Sequence, residues 1–114
     1  MLTSFISSAA LGTARLSADD DDIIIGDSDT TFHADADDNI AIGENALDST
    51  SGAALGNIAI GTNTGTAISS SDYSVIIGHN AGVSSQPATG TVAIGRQALT
   101  AITTGSQNTA IGYQ

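Results

Sequence analysis

The chain has no cysteine and no tryptophan, one proline, and only two basic residues, Arg15 and Arg96, in 114 positions. The lack of cysteine excludes disulfides and thiolate metal sites. Four aromatic side chains, Phe5, Phe32, Tyr73 and Tyr113, are too few for a core of interlocking rings. What remains possible is a narrow core of stacked Ile and Val. Twelve acids against two bases, a net charge of −10, exclude a binder of phosphate backbones, which needs clustered Lys and Arg. No apolar run approaches the roughly 18 residues of a membrane span. Residues 1–18 have no early Lys or Arg and mix Ser and Thr among their apolar positions, so they make a weak signal peptide.

What the chain does contain is a phrase, x-[Ile/Val/Thr]-[Ala/Ile]-Ile-Gly, written six times. It closes at Gly26, Gly43, Gly61, Gly78, Gly95 and Gly112, with spacings of 17, 18, 17, 17 and 17. A fixed period with a strand-like apolar centre is the mark of a solenoid. In each strand alternate side chains face opposite ways, and both faces are apolar, which implies burial on both sides. Ile25, Ile42, Ile60, Ile77, Ile94 and Ile111 are expected to form a ladder against the far wall of the chain's own coil. The opposite row, Ile24, Ala41, Ala59, Ile76, Ala93 and Ala110, is small enough for close approach and is expected to face other copies. This points to a homo-oligomer, taken as a homotrimer, although the pattern alone specifies only more than one chain.

Two residues after the glycines stand Asn45, Asn63, Asn80, Gln97 and Gln114, with Ser28 in the first copy. Stacked amides in register form hydrogen-bonded ladders. The pairs that follow, Ala46-Leu47, Thr64-Gly65, Ala81-Gly82 and Ala98-Leu99, are read as a short return strand, and Ser, Gly, Asp, Thr and Pro87 as the closing turn. The 18-residue spacing places a one-residue insertion in the turn of residues 51–56. The expected fold is therefore all-β: a parallel β-roll or β-solenoid with coils of about 17 residues. Its last copy stops at Gln114, before the Ala-Leu of its neighbours, so further chain or a partner is expected to cover that edge.

The chain divides into residues 1–38, a docking segment with an acidic collar, and residues 39–114, a repeat shaft. Leu2, Phe5, Ile6, Ala9 and Ala10 follow the spacing of one helix face, and such a short helix needs something to dock on. Nine of the twelve acids, Asp19 to Asp22, Asp27, Asp29, Asp35, Asp37 and Asp38, crowd the first zone. Their hard oxygens suit Ca²⁺. No EF-hand loop or glycine-aspartate nonapeptide accompanies them, so a solvated collar, or a surface for a basic partner, is the preferred reading. No other cofactor is expected.

The phrases at residues 39–43, 91–99 and 105–114 resemble the head repeats of trimeric autotransporter adhesins, and the last form is similar to repeats of bacteriophage tail fibres. The likeness covers about residues 39–114, with a degenerate copy at residues 22–26. It implies a parallel β-roll, three chains side by side and a rigid spike that meets a surface. Two departures favour the phage fibre: adhesin heads have a shorter period, and an adhesin carries a clear signal peptide and a membrane anchor. In phage fibres the N-terminus fastens to the particle. By that analogy Leu2, Phe5, Ile6, Leu11, Arg15 and Leu16 would dock on a tail, baseplate or capsid protein, and a region beyond the repeats would meet a host receptor.

Catalytic chemistry finds little footing. There is no Gly-x-Ser-x-Gly elbow, no phosphate-cradling glycine pattern, and no His-x-His pair to build a metal site from His33 and His79. The Ser and Thr residues between phrases read as turn chemistry. A non-enzymatic virion component is the leading expectation, with a bacterial surface adhesin head that binds matrix or glycan as the alternative.

Overall fold

A computed structural model describes residues 13–16, 21–26, 35–48, 52–83 and 89–114. Among them every regular element is a strand: β1 (Thr13–Leu16), β2 (Ile23–Gly26), β3 (Ile40–Ile42), β4 (Ile58–Ile60), β5 (Val75–Ile77), β6 (Val92–Ile94) and β7 (Thr109–Ile111). They lie in one sheet in sequence order. From β2 to β7 the pairing is parallel, and equivalent residues sit opposite one another, as with Ala41 and Ala59 or Ile42 and Ile60. Each step of the sheet is thus one turn of chain, and the protein is a β-solenoid. Strands of only three residues persist because the backbone bonds at both ends are short. Ile40 N donates to Asn57 O and Gly61 N to Ile42 O, both at 2.8 Å.

The two strand faces are used the opposite way round from the sequence expectation. Ile24, Ala41, Ala59, Ile76 and Ala93 lie inside the coil at 5% exposure or less, the last four packed with Ala46, Leu47, Ile68, Ala81 and Ala98. The Ile25 to Ile111 row faces outward. The reason is the width of the coil, whose interior admits about one large apolar side chain per turn. Where the strand supplies Ala41, the far wall supplies Leu47, and where it supplies Ala93, the far wall supplies Leu99. Ile76 faces a coil whose matching position is Gly82, and the coil of Ala59 and Gly65 is filled by Ile68. A Cβ on Gly65 would lie 3.0 Å from Ile68 Cδ1 and 3.2 Å from Leu47 Cδ2. A second row of isoleucines would overpack this space.

The expected return strand is instead a turn. Asn45 and Leu47, Asn63 and Gly65, Asn80 and Gly82, and Gln97 and Leu99 all have φ between 53° and 62°. A left-handed residue at every second position curls the backbone away from an extended path. Coil-to-coil bonds survive there, as Leu47 N donates to Thr64 O at 3.0 Å and Gly65 N to Ala81 O at 2.9 Å. A third left-handed corner precedes each strand, at Asp21, Asp38, Gly56, Tyr73, Gly90 and Gln107. From Ala54 onward the second full coil runs one residue late, so the insertion lies between Leu47 and Ala54, because Asn39 donates to Ala54 O where Asn57 donates to Ser71 O.

The first strand has no counterpart in the sequence reading. β1 pairs antiparallel with β2, with Arg15 opposite Ile24 and Leu16 opposite Ile23, and so covers the open edge of the first coil. Two of the expected docking residues therefore belong to a sheet cap. The helical spacing at residues 2–10, with Leu2, Phe5, Ile6 and Leu11, lies outside the described residues, as do Asp19, Asp20, Asp27, Ser28, Asp29 and His33.

Candidate functional site

Turning the alanines inward leaves a continuous apolar surface on the outside of the sheet. It consists of two columns, Ile23, Ile40, Ile58, Val75 and Val92 in one and Ile25, Ile42, Ile60, Ile77, Ile94 and Ile111 in the other. Because the register is parallel and unshifted, each side chain stacks on its equivalent at about 4.8 Å. Stacking leaves most of them half-buried, with Ile25 still 38% exposed, Ile60 36% and Ile111 72%. Ala110 is half-buried and Thr109 exposed, so the face ends in a more polar step at β7.

Directly before each strand runs a ladder that the sequence reading passed over as a variable position: Asp22, Asn39, Asn57, Ser74 and Thr91, all 3% exposed or less. Each backbone N–H donates to the side chain one coil earlier. Asn39 N donates to Asp22 Oδ1 at 2.7 Å, Asn57 N to Asn39 Oδ1 at 3.0 Å, Ser74 N to Asn57 Oδ1 at 3.0 Å and Thr91 N to Ser74 Oγ at 3.3 Å. The Asn side-chain amides also donate across the coil, Asn39 to Ala54 O at 2.8 Å and Asn57 to Ser71 O at 2.7 Å. Strand wall and closing turn are thereby tied together. Only Asp, Asn, Ser or Thr occupies this position in all six copies, and that restriction was the available signal.

The expected amide ladder is present on the outer turn in two stretches, Asn45 to Asn80 and Gln97 to Gln114. Asn45 donates to Asn63 at 2.9 Å, Asn63 to Asn80 at 3.2 Å and Gln114 to Gln97 at 3.4 Å. One position earlier runs an exposed or half-exposed column, Glu44, Thr62, His79, Arg96 and Tyr113. Here Arg96 Nη1 donates to Gln97 Oε1 at 2.9 Å and to Tyr113 Oη, with the guanidinium 5.3 Å from the Tyr113 ring centroid.

The repeat glycines stack where coils come closest. A Cβ on Gly43 would lie 2.5 Å from Gly61 O, and one on Gly78 would lie 2.5 Å from Gly95 O. Gly43, Gly61, Gly78, Gly95 and Gly112 also hold φ between 125° and 143°, where any other residue is strained. Of the acidic zone, Asp37 is used in backbone pairing with Leu55, and its Oδ1 accepts Asp38 N at 2.9 Å. Among the described residues no three His, Asp or Glu side chains gather as a metal set, and no helix is long and apolar enough to cross a membrane. Comparison with family models, curated proteins and solved structures found no match to this chain.

Proposed function

We propose that this chain is a non-enzymatic, structural part of a homotrimeric fibre or spike of a bacteriophage virion, in which the outer isoleucine face of each copy meets the same face of two others. The observation that carries this reading is that double ladder. It is in register and runs the length of the parallel sheet. Isolated exposed apolar residues are ordinary, whereas a contiguous patch of this kind marks an association surface. Burying the remaining area of each half-exposed Ile contributes about 1 kcal/mol. With nine Ile and two Val per chain, the face contributes on the order of 10 kcal/mol, comparable to an association cost of roughly 4–15 kcal/mol.

The mechanism is mechanical. Backbone bonds between coils run along the strand wall, the outer turn and the closing corner, so a bend at any point has to break several at once. Such a rod holds a binding region at a fixed distance from its anchor, with residues 1–38 on the particle side. The repeat phrases and their resemblance to fibre repeats support the virion assignment. Immunogold labelling of particles from the source strain tests it: label on a tail or capsid appendage is expected, and label confined to the bacterial surface would favour the adhesin head instead. The interface is tested by Ile60→Lys. This removes nothing from the coil interior, so the variant is expected to keep its circular dichroism spectrum and to weaken association at least about tenfold; unchanged association would contradict this choice of face.

A further inference from the structure

The amide edge of the last four coils carries a second surface, distinct from the isoleucine face. We propose that it binds an extended acidic polysaccharide, with Arg96 as the carboxylate anchor and the column of Asn63, Asn80, Gln97 and Gln114 as hydrogen-bonding partners for successive sugars. The proposal does not depend on the number of chains or on the virion assignment.

Charge placement is the first support. In a chain of net charge −10, residues 73–114 contain no acid at all, and Arg96 and His79 stand on adjacent coils of one column. Gln97 N donates to His79 O at 3.0 Å and Gln114 N to Arg96 O at 3.1 Å, which sets the three coils directly on one another. The nearest acid of the same column is Glu44, three coils from Arg96 and about 14 Å away at the strand spacing. That exceeds the Debye length of about 8 Å at physiological salt. Arg96 is thus the single fully charged side chain of residues 73–114.

Preorganisation is the second support. Arg96 is exposed, yet its guanidinium is held by Gln97 Oε1, Tyr113 Oη and the Tyr113 ring. Both hydrogen bonds use Nη1. A guanidinium has five donors in a planar fork, so donors remain for a carboxylate, and the stacked ring lowers the entropy lost when one binds.

Periodicity is the third. The edge repeats one amide per coil at about 4.8 Å, close to the length of one pyranose unit in an extended polysaccharide. Each amide has both donor and acceptor capacity, and the ladder uses only part of it. An oligomer of uronic acids would set hydroxyls on the amides and one of its carboxylates on Arg96. Glu44 would repel it from the first coils.

The test is a titration of the ¹⁵N-labelled full chain with tetragalacturonate, with maltotetraose as the neutral control. Saturable shifts are expected in the side-chain amides of Asn63, Asn80, Gln97 and Gln114 and at Arg96 Nε. Binding should weaken about tenfold in Arg96→Gln, because a hydrogen bond to a charged group is lost, and similarly in about 0.5 M NaCl. No saturable shift, equal binding of the neutral sugar, or undiminished binding by Arg96→Gln would each overturn the proposal.

Discussion

Thr91 closes the buried polar ladder badly. Its N–H reaches Ser74 Oγ, but its own Oγ1 is the single buried side-chain polar atom among the described residues with no hydrogen-bond partner. An unpaired buried hydroxyl costs about 1–3 kcal/mol, and an apolar group of the same shape removes that cost. Thr91→Val is therefore expected to stabilise the fold by about 1 kcal/mol, read as a higher urea midpoint with an unchanged slope. A lower midpoint would show that the hydroxyl has a partner. Other residues carry backbone strain instead: Tyr73 occupies at φ 56° the corner that Gly56 and Gly90 occupy elsewhere. The Tyr73 ring lies over that neighbouring glycine, where a Cβ would approach Tyr73 Cδ1 to 2.9 Å.

The element of this fold is the coil, and its stability rests more on the polar ladder than on the outer amides. Asn57 binds Asn39 Oδ1 and Ser71 O and accepts from Ser74 N, all in a buried setting. Asn57→Ala would leave Ser71 O and Ser74 N without those bonds and is expected to cost roughly 2–4 kcal/mol. Asn45→Ala, on the part-buried outer ladder, is expected to cost under about 1 kcal/mol. Equal losses in chemical denaturation would contradict this ranking. The coil itself was legible in the sequence, because strand and glycine recur at one period, and so was the outer amide ladder. The direction of the faces was not, since Ile40-Ala41-Ile42 is apolar on both sides and alternation cannot choose between them. What chooses is volume, and the trace is the trade between Ala41 and Leu47, Ile76 and Gly82, and Ala93 and Leu99. The return path escaped because Ala-Leu pairs read as a strand, whereas Leu47 and Leu99 take left-handed φ values that only the closed coil explains. The antiparallel cap of β1 left no periodic signal, since residues 13–16 do not belong to the repeat.

At the scale of the whole molecule, the sheet has one protected edge, where β1 covers β2, and one outer face that is apolar from β2 to β6. The cap limits edge-to-edge pairing at that end, and the proposed lateral association would cover the exposed apolar area of the face. Among the described residues the acids lie at Asp72 or before, and the only fully charged side chain from residue 73 onward is Arg96, so the β2 end of the sheet is the acidic one. The central claim is that the isoleucine ladders are a seam between three copies of this chain. Sedimentation equilibrium of the full chain tests it most directly. The account predicts a species three times the 11.3 kDa mass of one chain, stable on dilution into the micromolar range; a single species at the mass of one chain across that range would contradict it.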